Sequence, residues 1–212
     1  MNHIFDWVFA QYDDVPLHLT VLEIIAVVFG FLSVLYSKRE NILVYPTGII
    51  STAIFVYILW VYGLLGDMLI NAYYFSMSIY GWYFWTRKVD ATHFIPVTRT
   101  TTGEKKWSVI LFILTVGFVF GIYGLFNRLD SWTSYADTVT TAIFFVGMWL
   151  MARKKLENWT YWIIGDLISV PLYMYKGLVF TSLQYALFTV IAIFGYLAWK
   201  KNLNRSPETL LR

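Results

Sequence analysis

Cysteine is absent from the 212 residues, which excludes a disulfide framework, a thiol nucleophile and a Cys-based metal site. Charge is scarce: 14% of the residues are Asp, Glu, Lys or Arg, against about 25% in a soluble domain. The histidines, His3, His18 and His93, fall in terminal or loop regions without paired ligand spacing, so no metal centre is expected. No glycine-rich phosphate loop ending in Gly-Lys-Ser/Thr is present, so neither direct ATP drive nor a cofactor is expected. The formal net charge of +3 is small, and no nucleic-acid partner is expected. Residues 1–16 carry Asp6, Asp13 and Asp14 but no Lys or Arg, where a cleavable signal peptide needs a basic start. Ile4, Trp7, Val8 and Tyr12 have the spacing of a short interfacial helix, with a disordered lead-in as the alternative.

What is present is apolar and aromatic: 58% hydrophobic residues, with 10 Trp and 16 Tyr. A chain this small cannot hide that excess in a soluble core. Lipid removes the problem, and the aromatics suit the belts at membrane interfaces. A spanning helix needs roughly 20 mostly apolar residues. The sequence predicts an all-α integral membrane protein with spans near 19–36, 43–62, 67–86, 107–126, 134–152, 159–176 and 179–199. Gly63 to Gly66 and Lys176-Gly177-Leu178 make tight hairpins, and the one long connection, 87–106, is polar and Thr-rich. With seven spans, all of the 16 basic residues except Arg128 and Lys176 fall on one side. Basic residues in short loops mark the cytoplasm. The expected organisation is therefore an extracytoplasmic segment 1–18, a three-helix repeat 19–86, a cytoplasmic loop 87–106, a linking helix 107–126, a second repeat 127–199 and a cytoplasmic tail 200–212.

The two triplets echo one another. Tyr62-Gly63-Leu64 returns as Lys176-Gly177-Leu178, and Tyr80-Gly81-Trp82 with Trp85 returns as Phe194-Gly195-Tyr196 with Trp199, both at an offset of 114. Glu40-Asn41 with Gly48 returns as Glu157-Asn158 with Gly165 at 117, which implies a three-residue shift inside the middle span. Residues 107–126 are uncharged and resemble nothing else in the chain. One linking helix returns the second triplet in the orientation of the first, giving parallel repeats in a 3+1+3 arrangement like that of the SWEET transporters. The substrate site then belongs near the midplane, between the triplets.

A charge at bilayer depth costs at least a few kcal/mol, so the exceptions point to function. Asp166 lies about seven residues into the sixth span, on a stripe with Trp159, Trp162, Ser169 and Tyr173, which helical spacing places on one face. Tyr45 and Thr52 mark the matching face of the second span. Asn71, Tyr74, Ser78 and Trp82 share a face of the third, and Gln184 lies on a polar face of the seventh. Each has a bland reading: belt residues for Trp159 and Tyr45, interhelical hydrogen bonds for Asn71 and Gln184, and close packing for the Ser and Thr faces. As ligand groups they suit a planar, cationic, hydroxylated molecule. Indole and phenol faces attract an organic cation, a carboxylate neutralises it, and amides and hydroxyls bind hydroxyl and amide groups.

The runs Asn71 to Trp85 (NAYYFSMSIYGWYFW) and Glu157 to Tyr175 (ENWTYWIIGDLISVPLYMY), followed by Lys176-Gly177-Leu178, resemble the PnuC-type vitamin transporters, best the bacterial nicotinamide riboside transporters. The resemblance covers about 20 to 200, with Trp159 and Trp162 as the Trp-x-x-Trp of the sixth span. It implies the 3+1+3 fold, a bacterial inner-membrane location, and facilitated diffusion of nicotinamide riboside for NAD biosynthesis. A cytoplasmic kinase would then trap the substrate by phosphorylation. Related members take thiamine, also an aromatic cation. A membrane-embedded enzyme or a receptor subunit is the rival from another class, but no nucleophile–base or metal cluster supports the enzyme. Proton coupling through Asp166 or Glu23 stays open, and a homo-oligomer is compatible with the sequence.

Overall fold

The computed structural model of the protein describes residues 16–88, 95–126, 131–175 and 179–203. Seven helices occur among them: α1 Leu17–Lys38, α2 Val44–Val61, α3 Leu65–Trp85, α4 Thr102–Leu125, α5 Trp132–Ala152, α6 Asn158–Tyr175 and α7 Val179–Leu203. Five of them, α1, α2, α4, α5 and α7, are long and apolar enough to cross a membrane. In α3 and α6 the apolar run is broken by residues such as Asn71, Ser78, Asp166 and Ser169, and of these Ser78, Asp166 and Ser169 are buried. The predicted interfacial helix near Ile4, the turn Lys176 to Leu178 and Arg128 lie outside the described residues.

The helix ends follow from local chemistry. Thr101 accepts from the Glu104 N–H, and the Glu104 carboxylate accepts from the Thr101 N–H at 2.9 Å, a capping box. It starts α4 five residues before the purely apolar run. α1 and α5 close in the same way. Glu40 N–H donates to Ser37 O and Asn41 N–H to Tyr36 O, while Lys154 N–H donates to Met151 O and Lys155 N–H to Leu150 O. These are Schellman closures, which put one residue in the left-handed region. That residue is Gly63 (φ 69) after α2, but Glu40 (φ 52) after α1 and Lys154 (φ 58) after α5.

The packing order is a ring. α1 packs on α2, α2 on α3, α3 on α5, α5 on α6, α6 on α7, and α7 back on α1. α4 stands outside the ring against α5. Two three-helix repeats therefore meet at two seams, α3 with α5 and α7 with α1.

A single offset of 114 residues relates the repeats throughout. It carries α2 onto α6 from end to end. It also relates Ser37 to Met151, which touch each other, and Trp85 to Trp199, whose rings lie 5.7 Å apart. The shift to 117 expected from Glu40-Asn41 is thus corrected: the counterpart of Glu40 is Lys154, and that of Gly48 is Trp162. The shared Glu-Asn dipeptide is a coincidence of two tight turns.

The buried core lies at the end of the ring that carries the basic turns, around Tyr45, Trp85, Trp159 and Trp199. The predicted polar loop 87–106 is not free where it is described. Thr98 N–H donates to Lys154 O at 3.1 Å and Thr98 O accepts from Leu156 N–H at 2.9 Å, so 95–101 is strapped to the α5–α6 turn with Val97 buried.

A central cavity as candidate functional site

All six ring helices line one cavity of about 290 Å³, and α4 contributes nothing to it. The repeats build its two halves differently. On the first-repeat side part of the wall, where α1 meets α2, is small: Gly30, Ser33, Gly48 and Ser51. A Cβ on Gly30 would lie 2.9 Å from Ser51 Oγ, and one on Gly48 would lie 3.1 Å from Ser33 Oγ. The hydroxyls there have spent their hydrogens on the backbone: Ser33 donates to Val44 O at 2.7 Å, Ser51 to Ala26 O at 2.8 Å and Thr52 to Gly48 O at 2.7 Å. What they have left to offer is lone pairs, so they can only accept from a ligand.

On the second-repeat side the equivalents of Gly30 and Gly48 are Phe144 and Trp162. Their rings stack at 5.4 Å and 26°. The stack continues from Phe144 to Tyr185 at 6.0 Å and from Tyr185 to Tyr173 at 5.1 Å. The bulk is accommodated by glycines at the complementary positions: Gly165 faces Phe144, and Gly147 faces Trp162. The face built by α1 and α2 at Gly30 and Gly48 is therefore hollow where its counterpart is an aromatic stack, with Tyr45 and Tyr74 as the aromatics of the first repeat.

Asp166, equivalent to Thr52, stands one turn beyond Trp162 and lines the cavity at 3% exposure. Among the described residues no hydrogen-bond donor or cation pairs with its carboxylate. Leaving a carboxylate unpaired at this depth is costly, and such groups mark substrate or ion sites. Among the described residues no Lys, Arg or His lines the cavity.

The structure brings Trp162, Asp166, Trp159, Tyr45, Thr52, Tyr74 and Ser78 together on this wall. Tyr173 joins through its stack on Tyr185. Ser169 is fully buried off the wall, its hydroxyl without a partner among the described residues. Asn71 donates to Asp67 O of its own helix at 3.0 Å, and its counterpart at the common offset is Tyr185. Gln184 is exposed, as is Trp82 at 42%; neither reaches the cavity. Sequence reasoning missed Phe144, Tyr185 and the small wall of α1. Applying the 114-residue offset to every position would have paired Gly30 with Phe144 and Gly48 with Trp162, and so exposed the asymmetry.

Residues 20–201 match the model of the family described as nicotinamide mononucleotide transporter. The chain belongs to this family. It is a membrane transporter by that membership, and its curated relatives are transporters too. The nicotinamide riboside transporter PnuC of Escherichia coli K12 is 25% identical over 205 residues, covering 85% of each chain. The riboflavin/roseoflavin transporter RibM of Streptomyces davaonensis is 23% identical over 215 residues, covering 100% of this chain and 98% of its own. A crystal structure of the vitamin B3 transporter PnuC shares the fold, with a TM-score of 0.65 at 21% identity over 95% of this chain and 88% of that one. In this chain the 3+1+3 helical architecture frames the cavity.

Proposed function

We propose that the chain imports nicotinamide riboside across the bacterial cytoplasmic membrane by facilitated diffusion. In this reading its N-terminus lies outside and its C-terminus in the cytoplasm. The observation that carries the proposal is the unpaired Asp166 carboxylate one turn from the stacked Trp162 and Phe144, inside a cavity framed by both repeats. A flat pyridinium ring gains from an indole face, and its charge neutralises the carboxylate. The acceptor-only hydroxyls of Ser33, Ser51 and Thr52 suit a ribose, which donates from its hydroxyls. A phosphate would meet Asp166 with no cation in the lining to offset it, so the riboside is favoured over its phosphorylated form. For the same reason, phosphorylation by a cytoplasmic kinase would keep the product from returning.

Riboflavin is the second reading, favoured by the relative RibM, which aligns over the whole chain. Its fused ring is flat, it carries several hydroxyls, and it is neutral. Calorimetry of the purified protein against nicotinamide riboside, thiamine and riboflavin separates these readings. The proposal expects the riboside to bind most tightly. Preferential riboflavin binding that Asp166→Asn leaves intact would replace it.

A further inference from the structure

The two seams between the repeats are held at the basic end by contacts that obey the internal two-fold. Trp85 of α3 donates its indole N–H to Met151 O at the end of α5, at 3.2 Å. Trp199 of α7 donates to Ser37 O at the end of α1, at 3.0 Å. These are one interaction made twice, since Met151 is the counterpart of Ser37 and Trp199 that of Trp85. Each crosses one seam, and both tryptophans are buried, Trp199 completely. They lie below Tyr45 and Trp159, the counterpart pair at the floor of the cavity. Trp159 packs edge-on against Trp199 at 5.6 Å, as Tyr45 does against Trp85 at 5.1 Å.

A third contact closes the same end. Glu40 and Lys154 are counterparts, and their charges meet at 3.6 Å. Lys154 Nζ also sits 4.8 Å over the Trp85 ring, and Asn202 at the end of α7 donates to Glu40. Burial pulls the Lys154 ammonium below the usual lysine value, and the Glu40 charge opposes that shift. Both residues occupy left-handed backbone positions, where glycine is the unstrained choice. Strained backbone retained in this way points to a task for the side chain. Here the task is to bridge the repeats.

We infer that Trp85, Trp199 and the Glu40–Lys154 pair form a latch that closes the basic end of the ring, and that transport requires both seams to part there together. Parting the triplets at this end breaks all three contacts at once, because each joins one repeat to the other. The floor pair Tyr45 and Trp159 then loses its support, and the cavity opens toward the basic side. That this side is the cytoplasm rests on the orientation proposed above; the latch itself does not.

The test uses Ser78→Cys, which places a thiol on the cavity wall of a chain that has no cysteine. Its labelling by a membrane-impermeant maleimide is followed from each face of oriented vesicles. Arg205→Cys in a parallel sample reports which face the basic end occupies. Glu40→Gln, Lys154→Gln and Trp85→Phe should each raise labelling of residue 78 from the face that labels residue 205 by about tenfold, the effect of losing about 1.4 kcal/mol of closure. The double exchange Glu40→Lys with Lys154→Glu should return labelling toward the parent rate. Trp85→Phe keeps an aromatic ring and removes the indole donor without touching the charge pair, so it serves if the charge variants fold poorly. Unchanged labelling in folded, ligand-binding variants overturns the latch. If labelling rises from the face that reaches residue 205 and that face is the outer one, the latch stands and the orientation falls.

Discussion

Trp162 and Asp166 sit one helical turn apart on the same face of α6, so an aromatic ring and a carboxylate address one ligand from one wall. A cation over an indole gains roughly 0.5–2 kcal/mol, more where water is excluded. Trp162→Phe should therefore cost little affinity and Trp162→Ala much more, since the ring survives only the first change. Asp166→Asn keeps the size and one acceptor oxygen but removes the charge. It should weaken nicotinamide riboside far more than the reduced, uncharged riboside, with calorimetry of both ligands on the one variant as the measurement. Equal weakening of the two would assign Asp166 to holding the helices together. A different residue-scale constraint acts at the floor. A Cβ at Gly195 would lie 2.6 Å from the Trp159 ring, and Gly81 faces Tyr45 as closely. Gly195→Ala should lower stability by about 1–3 kcal/mol, the usual cost of overpacking, seen as a lower melting temperature in detergent. These contacts explain why glycine recurs at this point of both repeats, a recurrence visible in the sequence whose cause is not.

Among the elements, α4 is the one that sequence and structure describe alike as the odd member. It links the repeats, packs against α5 outside the ring, and leaves open space where a Cβ would sit at Gly117 and Gly121. Gly117→Ala and Gly121→Ala should leave ligand affinity unchanged. Its N-terminus matters in another way. Glu104 caps α4 and also meets Arg153 at 3.0 Å and Lys155 at 3.1 Å, which ties the linking helix to the α5–α6 turn. Breaking a buried pair strands the partner charge at a cost of about 3–5 kcal/mol. Glu104→Gln should approach that loss in a denaturation series, because Lys155 is nearly as buried as its partner. The helices themselves were legible because apolar length is a local property. The position of Glu104 in a network with α5 was not, because Arg153 and Lys155 are some fifty residues away in the chain.

At the scale of the whole molecule, the predicted sidedness can be read by labelling. Cysteines at Arg99 and Arg205 should label from the cytoplasmic face and one at Arg128 from outside. Labelling of positions 99 and 128 from the same face would end the seven-span arrangement. Flux should follow the substrate gradient alone. No phosphate-binding loop is present, and among the described residues Asp166 is the lone carboxylate lining the cavity. In liposomes, an imposed proton gradient should leave initial uptake of nicotinamide riboside unchanged, and uphill accumulation would require a coupled mechanism instead.

The sequence by itself determined the solvent, the number of helices, the uneven distribution of basic residues and the existence of a repeat. These follow from hydropathy, charge and local recurrence, which need no knowledge of which helix touches which. It also singled out Trp162 and Asp166, since helical spacing puts them on one face whatever the rest of the fold does. The register of the repeat was misread at Glu40, because a matching dipeptide is a weaker signal than the closed ring of contacts that fixes Lys154 as its counterpart. Which polar faces turn inward was decided only by packing. Asn71 and Gln184 are polar, as are Thr52 and Ser78, which line the cavity, yet Asn71 bonds its own helix and Gln184 is exposed. A helix can be rotated about its axis without altering its hydropathy, so its inward face is set by the neighbours it packs against.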